Sequence, residues 1–297
     1  MNLIGIDIGG TNIKGALFDA ETGTCISKQT TFTRDGECVG DVPAWAAGVQ
    51  ELVNRFEEEA EQSDMPVGIS APGLAQRDGS CIGWMPGRMA GLAGFVWSDF
   101  LDRKVKVLND AHAALMGEVW QGAAKGCDDV LMLTLGTGVG GAAISGGRLI
   151  QGHNGRAGHF GHITVDHHGA PTIVGCPGGL ENAIGNATIS QRSGGRFTMT
   201  RDLIEALLAC DAGAKTVWEE SVRALAVGMT SLINAFDPEV FILGGGIAAG
   251  AGELLLKPLS AFLDEFEWRP ADHRVSVRLA QLGEWAGAYG AARFGLI

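Results

Sequence analysis

The sequence predicts an α/β protein built as two lobes, and three observations carry that expectation. Short apolar runs alternate with longer stretches of helical periodicity. A strand–glycine–strand unit near the N-terminus recurs after residue 130, which implies an internal duplication. Glycine, at 46 of 297 residues, gathers in short runs without a fixed period. Such runs mean tight turns and close backbone approaches, not collagen or low complexity. The length suffices for two lobes, because single cores stop growing near roughly 250–300 residues.

Residues 3–7 alternate like a strand, break at Gly9-Gly10 and resume over 13–18, a hairpin closed by a glycine turn. Residues 42–62 place Trp45, Val49, Leu52, Val53 and Phe56 on one stripe, so an amphipathic helix is expected. A short strand at 67–70 ends at Pro72-Gly73. Another at 105–108 runs into a helix over 110–120, with Asn109 and Asp110 as cap candidates. The pattern restarts with a strand at 130–135, a turn at 136–141 and a strand at 142–145 closing at Gly146-Gly147. A long helix at 218–236, a strand at 240–243, a glycine turn at 244–246 and a small-residue helix at 284–294 complete the chain.

Composition narrows the function. A hydrophobic share of 46% with 19% charged residues excludes disorder, and a net charge of −12 opposes a nucleic-acid surface. The acidic balance does not bar an anionic substrate, because a few backbone amides can hold phosphate locally. The cysteines, Cys25, Cys38, Cys81, Cys127, Cys176 and Cys210, are scattered without a CxxC pair, as expected of thiols in a reducing compartment. With neither a basic leader nor an uncharged apolar run of about 18 residues, a cytoplasmic protein with no membrane partner is expected.

Three glycine turns follow apolar strands: Gly9-Gly10-Thr11 behind Asp7, Gly136-Thr137-Gly138-Val139-Gly140-Gly141, and Gly244-Gly245-Gly246. Glycine lets backbone N–H groups converge on an anion. Thr11 and Thr137 add hydroxyls, and Lys14 could add charge. One such turn would read as a plain hairpin; three together point to phosphate. Asp7 at the end of a buried strand needs a partner, and Mg²⁺ or its water shell would serve. Gly136-x-Gly138-x-x-Gly141 matches the dinucleotide fingerprint formally, but a strand follows it where that motif requires a helix. No GxxxxGK[ST] occurs, so a P-loop enzyme is excluded. Asp110 on its own reads as a helix cap or as a base held rigidly at a strand end.

The stretches 7–14, 108–111, 135–141 and 243–246, with Gly158-x-x-Gly161-His162-Ile163 and Gly178-Gly179-Leu180-Glu181, resemble the ROK family of bacterial sugar kinases and repressors, within the actin-like ATPase fold. They run in family order across nearly the whole chain. The resemblance implies a two-lobed, ribonuclease H-like α/β fold with duplicated lobes. Residues 1–109, joined by the terminal helix 284–297, would form a small lobe, and 110–283 a large one, closing over ATP and sugar. It implies an ATP-dependent kinase acting on a hexose hydroxyl, by default the 6-OH, as a glucokinase does. Asp7, Gly9, Gly10, Thr11, Asn12, Lys14, Gly136, Thr137, Gly138 and Gly140 would hold the phosphates, and Gly244, Gly245 and Gly246 would lie beside adenosine. Asp110 would be the base. Asn109, His162 and Glu181, with Gly73 at a hinge candidate, would face the sugar. A homodimer is expected on the same ground.

The chain departs from the family pattern in three places. Thr172, Val174 and Gly179 occupy the cysteine positions of the family's zinc motif, so no structural zinc is expected. His167 and His168 read as solvated loop histidines. His159 stands where a sugar-binding Glu is common, and an imidazole cannot copy both carboxylate oxygens. Gly91 stands at a sugar-binding Asn position, and Arg88, three residues earlier, reads either as its replacement or a contact for an anionic or acylated group, or equally as a surface arginine. The competing function is a non-catalytic sugar sensor. Regulators of this type carry an N-terminal winged-helix segment, for which a phosphate motif within the first ten residues leaves no room. A pseudokinase would tolerate loss of Asp7, Thr137 and Asp110, and all three are present. An actin- or chaperone-type ATPase would lack the His162 and Glu181 motif.

Overall fold

A computed structural model describes residues 1–296, and the chain divides into two compact units. The first comprises Met1–Gly126, Leu149–Ala157 and the C-terminal segment from Glu284; the second comprises Cys127–Arg148 and Gly158–Gly283.

The first unit is organised by a five-stranded sheet. Its strands are β1 (Asn2–Ile8), β2 (Asn12–Asp19), β3 (Cys25–Phe32), β4 (Val67–Ala71) and β5 (Val105–Asn109), in the order β3-β2-β1-β4-β5. β1, β2 and β3 pair antiparallel, while β4 and β5 add in parallel. The helix Ala44–Ala60 covers one face, burying Trp45, Val49, Leu52, Val53 and Phe56, the stripe expected from the sequence. It starts at Ala44 because Pro43 stands extended at its N-cap. Trp45, Phe95 and Trp97 stack edge to face at the margin of this core, an arrangement that aromatic quadrupoles favour.

The opposite face explains the small residues of the terminal helix. Ala286–Gly295 packs Ala288 and Ala292 against Leu3, Ala16 and Phe18. It lies so close to the helix Asp110–Gln121 that a Cβ on Gly290 would stand 1.7 Å from the Ala113 carbonyl oxygen. This helix pair keeps Asp110–Gln121 in the first unit, which therefore runs past residue 109. Segment Leu149–Ala157 is held there too, by a 2.8 Å hydrogen bond between His112 Nε2 and the Ala157 carbonyl.

A second sheet organises the other unit with the same strand order. Its strands are β6 (Val130–Leu135), β7 (Val139–Ser145), β8 (Arg148–Leu149), β9 (Val240–Gly244) and β10 (Ser276–Leu279), arranged β8-β7-β6-β9-β10. β6 and β7 form the antiparallel hairpin, and β9 and β10 add in parallel. The duplicated reading is visible in this shared order. The helix Ala212–Phe236 begins earlier than the periodicity alone predicts, because Asp211 caps it by accepting from Ala214 N at 2.7 Å. The third glycine run is not a turn between strands. Gly245 opens the helix Gly245–Ala251, as the parallel connection from β9 to β10 demands. No single helix among the described residues is long and apolar enough to cross a membrane.

Candidate active site

The first unit brings two carboxylates to one end of its sheet, Asp7 on β1 and Asp110 just after β5, with β4 between those strands. Asp7 is the last residue but one of β1, half-buried, and its Oδ1 accepts from Ser70 Oγ at 2.7 Å. Burial pushes its pKa up to about 6, the Ser70 bond opposes that, and the charge of Asp110 pushes it up again. Asp110 is the first residue of its helix, and Asn109 is the cap. Asn109 Oδ1 accepts from Ala111 N at 3.0 Å and His112 N at 3.3 Å, while its Nδ2 donates to the Gly73 carbonyl at 2.9 Å. Both lone pairs of that oxygen are thus committed, and one N–H remains. Gly73 has φ +106°, and a Cβ there would meet Trp84 O at 2.7 Å, so only glycine fits where the Asn109 clamp closes. Asn109 is the cap, and Asp110 Oδ1 also accepts from Ala111 N, at 2.8 Å, so the two side chains share that N–H.

The Gly9–Asn12 turn closes across the Ile8–Ile13 pair, with Gly9 N bonded to Asn12 O at 2.9 Å. Thr11 and Gly10 are exposed on it. Lys14, expected to lend charge here, pairs with Glu284 Oε2 at 2.9 Å and donates to the Glu284 carbonyl at 3.2 Å. Its charge is shared with a carboxylate. Arg88 stands against the turn: its Nη1 lies 3.0 Å from where a Cβ on Gly10 would sit.

In the second unit the turn 136–138 closes across Leu135–Val139 and is braced from outside, Asn186 N donating to Gly136 O and Ala187 N to Thr137 O. Gly136, Thr137 and Gly246 line a cavity of about 320 Å³ whose apolar wall includes Met199, Ile204 and Ile247. Two of the three glycine runs therefore meet at one cavity. Sequence reasoning missed the wall, because the helix Thr200–Leu208 that supplies part of it carries no motif. Thr200 is 4% exposed there, and its Oγ1 has no partner among the described residues.

His162 and Glu181, each expected to face a sugar, stand side by side. His162 Nδ1 lies 3.3 Å from Glu181 Oε1, both shielded from solvent, but the pair lacks the alignment of a full hydrogen bond. The other oxygen, Glu181 Oε2, lies 2.9 Å from where a Cβ on Gly138 would stand. Glu181 thus touches the His162 loop and the glycine turn together. His159 precedes the short 3₁₀ turn Phe160–His162, half-buried.

The loop that presents these side chains is stitched by hydrogen bonds. Thr172, buried at one of the zinc-motif cysteine positions, accepts from Cys176 N through Oγ1 at 3.3 Å, and its own N–H donates to Cys176 O at 2.8 Å. Asn182 Nδ2 donates to Ala170 O and Pro171 O, and Leu180 N to Ile163 O. Among the described residues no three His, Cys, Asp or Glu side chains gather in a metal-holding group.

The ROK family profile matches residues 3–295. The chain belongs to the ROK family. It is 30% identical to a glucokinase of Halalkalibacterium halodurans, over 97% of the chain and 92% of that relative. A ROK hexokinase structure from Thermus thermophilus superposes with TM-score 0.86 at 30% identity, covering 98% of this chain and 97% of that one. A ROK glucokinase from Streptomyces griseus, solved with glucose and AMPPNP, gives TM-score 0.77 at 28% identity over 99% of both chains. The fold is thus the two-sheet α/β fold of the ROK sugar kinases, with the actin-like ATPase architecture that the resemblance implied.

Proposed function

We propose that this ROK chain transfers the γ-phosphoryl group of ATP to a hydroxyl of a hexose or hexose derivative, with the 6-OH as acceptor in the manner of a glucokinase. At the coarser level it is a carbohydrate kinase, by its family and by relatives that match along nearly its whole length. The neighbour solved with glucose and AMPPNP supports ATP as donor and a sugar as acceptor.

One observation carries the finer reading: the placement of Glu181. One of its oxygens faces a shielded His162 nitrogen without completing a hydrogen bond, and the other lies against the Gly138 turn. In this reading a sugar hydroxyl bonds to the Glu181 carboxylate, which can accept at both oxygens. A glycine turn beside it suits the phosphates of a donor. Hydroxyl recognition and phosphate recognition thus touch through one side chain.

In this reading the acceptor oxygen attacks the γ-phosphorus, its proton passes to Asp110, and the bond to the bridging oxygen breaks with its electrons leaving on ADP. Asn109, spent on the helix N-terminus and on Gly73, positions Asp110. His159, in place of a carboxylate, and Gly91 shift the preference among hydroxyl patterns. The first unit contributes the base and one phosphate turn; the second contributes the sugar loop and the other turn. In this reading the second unit's cavity, lined by Gly136, Thr137 and Gly246, takes adenosine, and Gly244 and Gly245 precede Gly246 in the same glycine run. The residues fit a magnesium ion: Asp7 is a carboxylate kept costly by burial and by the Asp110 charge, and Mg²⁺ needs only one or two carboxylates besides waters and phosphate. When bound it would neutralise charge on the phosphates. A cytoplasmic homodimer accompanies this reading.

Coupled ADP release over a panel of hexoses, 2-amino and N-acetyl sugars and keto-sugars tests it. Turnover dependent on one sugar class is expected. Sugar binding by thermal shift with no turnover on any sugar would replace it with a sensor.

A further inference from the structure

The uncommitted cation beside the first glycine turn is Arg88. Its Nη1 lies 3.0 Å from the Cβ position on Gly10 and its Cζ 3.9 Å from it, so the guanidinium sits against the backbone of that turn. The side chain is exposed and makes no ion pair among the described residues. Lys14, the other cation near this turn, is occupied by Glu284. Asp7 and Asp110 bring negative charge to the same unit, and the whole chain is acid-rich. An arginine left unpaired in such surroundings is electrostatically suited to an incoming anion.

Its placement is enforced by the backbone around it. Met89 is buried at 2% exposure with φ +51°, a left-handed conformation that a non-glycine residue adopts only when its surroundings require it. The Met89 N–H donates to Asp35 Oδ2 at 3.0 Å, and its carbonyl accepts from Leu92 N at 3.0 Å. Leu92 is fully buried. The segment is pinned on the C-terminal side of Arg88, and the side chain that emerges from the pinned backbone reaches Gly10.

We propose that Arg88 is a further catalytic residue of the phosphoryl transfer, contacting the transferring phosphoryl group of the donor, and not the substitute for a sugar-binding Asn. The proposal rests on the kinase reading above. As the bond to the bridging oxygen breaks and the new bond to the sugar oxygen forms, charge spreads over the equatorial oxygens of that group. A guanidinium offers them two parallel N–H donors without altering the proton path to Asp110.

The test uses the full chain with Arg88→Ala and Arg88→Lys. Calorimetry measures Mg²⁺–AMPPNP and Mg²⁺–ADP, and steady-state kinetics measure the sugar. The Ala variant should bind AMPPNP about tenfold more weakly and ADP within about twofold of wild type, because only AMPPNP carries the group in question. Its kcat should fall about 10- to 100-fold with the sugar KM within about twofold, and Lys should restore part of the loss. A raised sugar KM with AMPPNP affinity intact would overturn the proposal, as would unchanged values throughout. Arg88 is exposed, so both variants should keep the wild-type thermal midpoint; should Ala fail to fold, the Lys variant's AMPPNP-to-ADP contrast decides alone, and no change in it overturns the proposal. Wild-type protein that binds AMPPNP but phosphorylates no sugar would remove the kinase reading and leave the Arg88 contact to the binding data. Wild-type protein that binds no AMPPNP would overturn both.

Discussion

The two sheets share an order and a hairpin, yet their hairpins carry different chemistry. In the first, Asp7 stands opposite Lys14 and pairs with Ser70 on the parallel neighbour. In the second, the matching position is Thr134, opposite Gly140 and beside Gly244. The first hairpin encloses residues 9–12, the second only 136–138. One copy of the frame therefore holds ionised side chains at its strand ends, and the other offers backbone and hydroxyls. Repeating a frame fixes where groups can stand, and substitution at the strand ends decides what they do.

The largest break in this comparison comes from neutralising the proposed base in the charged copy. Asp110→Asn should lower kcat by about two to four orders of magnitude, with ATP and sugar affinities near wild type. Coupled ADP release with binding by calorimetry checks it, and near-wild-type turnover would remove Asp110 from the role of base.

A change at Asp7 acts on stability with the opposite sign. Its folded pKa, about 6, lies above the ordinary 3.8 of an aspartate, so between those values the folded state holds more protons than the unfolded one. Stability from this group is therefore lost as pH rises from about 4 to about 6, and the cost is complete at neutral pH. That cost is about 3 kcal/mol as an upper figure. Asp7→Asn in metal-free buffer should raise the thermal midpoint by about 5 °C at pH 7.5 and leave it unchanged at pH 4, since Ser70 can still donate to the amide oxygen. Thr134→Val, the matching change in the second sheet, should show no such pH dependence. Equal shifts at both pH values would mean that Asp7 is not held protonated by its surroundings.

Much of this frame was legible in the sequence. The two glycine hairpins, the stripe of Trp45 to Phe56 and the strand running into the Asp110 helix follow from local periodicity and turn chemistry, which need no tertiary information. The edge strand Cys25–Phe32 was missed because its residues alternate between half-buried and exposed without an apolar run. The helices Thr200–Leu208 and Glu253–Phe266 were missed although their apolar residues recur at helical spacing, because neither carries a motif. The engagement of Lys14 by Glu284, 270 residues away, and the approach of Arg88 to Gly10 are products of folding that no local pattern announces. Motif order pointed to Asp7, Asp110, His162 and Glu181 as candidates, but not to the sharing of the Ala111 N–H between Asn109 and Asp110.

A smaller perturbation sharpens the link inside the second copy. Gly138→Ala places a Cβ 2.9 Å from Glu181 Oε2, closer than such contacts tolerate, and the far end of that side chain must move. The sugar KM should rise about tenfold, because a displaced carboxylate loses its aim at a hydroxyl. Unchanged sugar kinetics would separate Glu181 from the acceptor.

The smallest expected effect concerns how the second copy holds its loop. The zinc-motif positions carry Thr172, Val174 and Gly179, and the Thr172–Cys176 pair of hydrogen bonds closes the hairpin in their place. A neutral bond of this kind contributes about 1 kcal/mol. Thr172→Val keeps the shape and removes only the hydroxyl, so amide exchange at Cys176 should quicken about fivefold, with the sugar KM rising by a factor of about two. Incubation with a zinc chelator, at fixed magnesium, should leave turnover unchanged, since Cys176 and His162 alone cannot complete a tetrahedral site. A chelator that abolished turnover would mean that other histidines, His167 and His168 first among them, are drawn into a metal site and that hydrogen bonding is not what carries the loop.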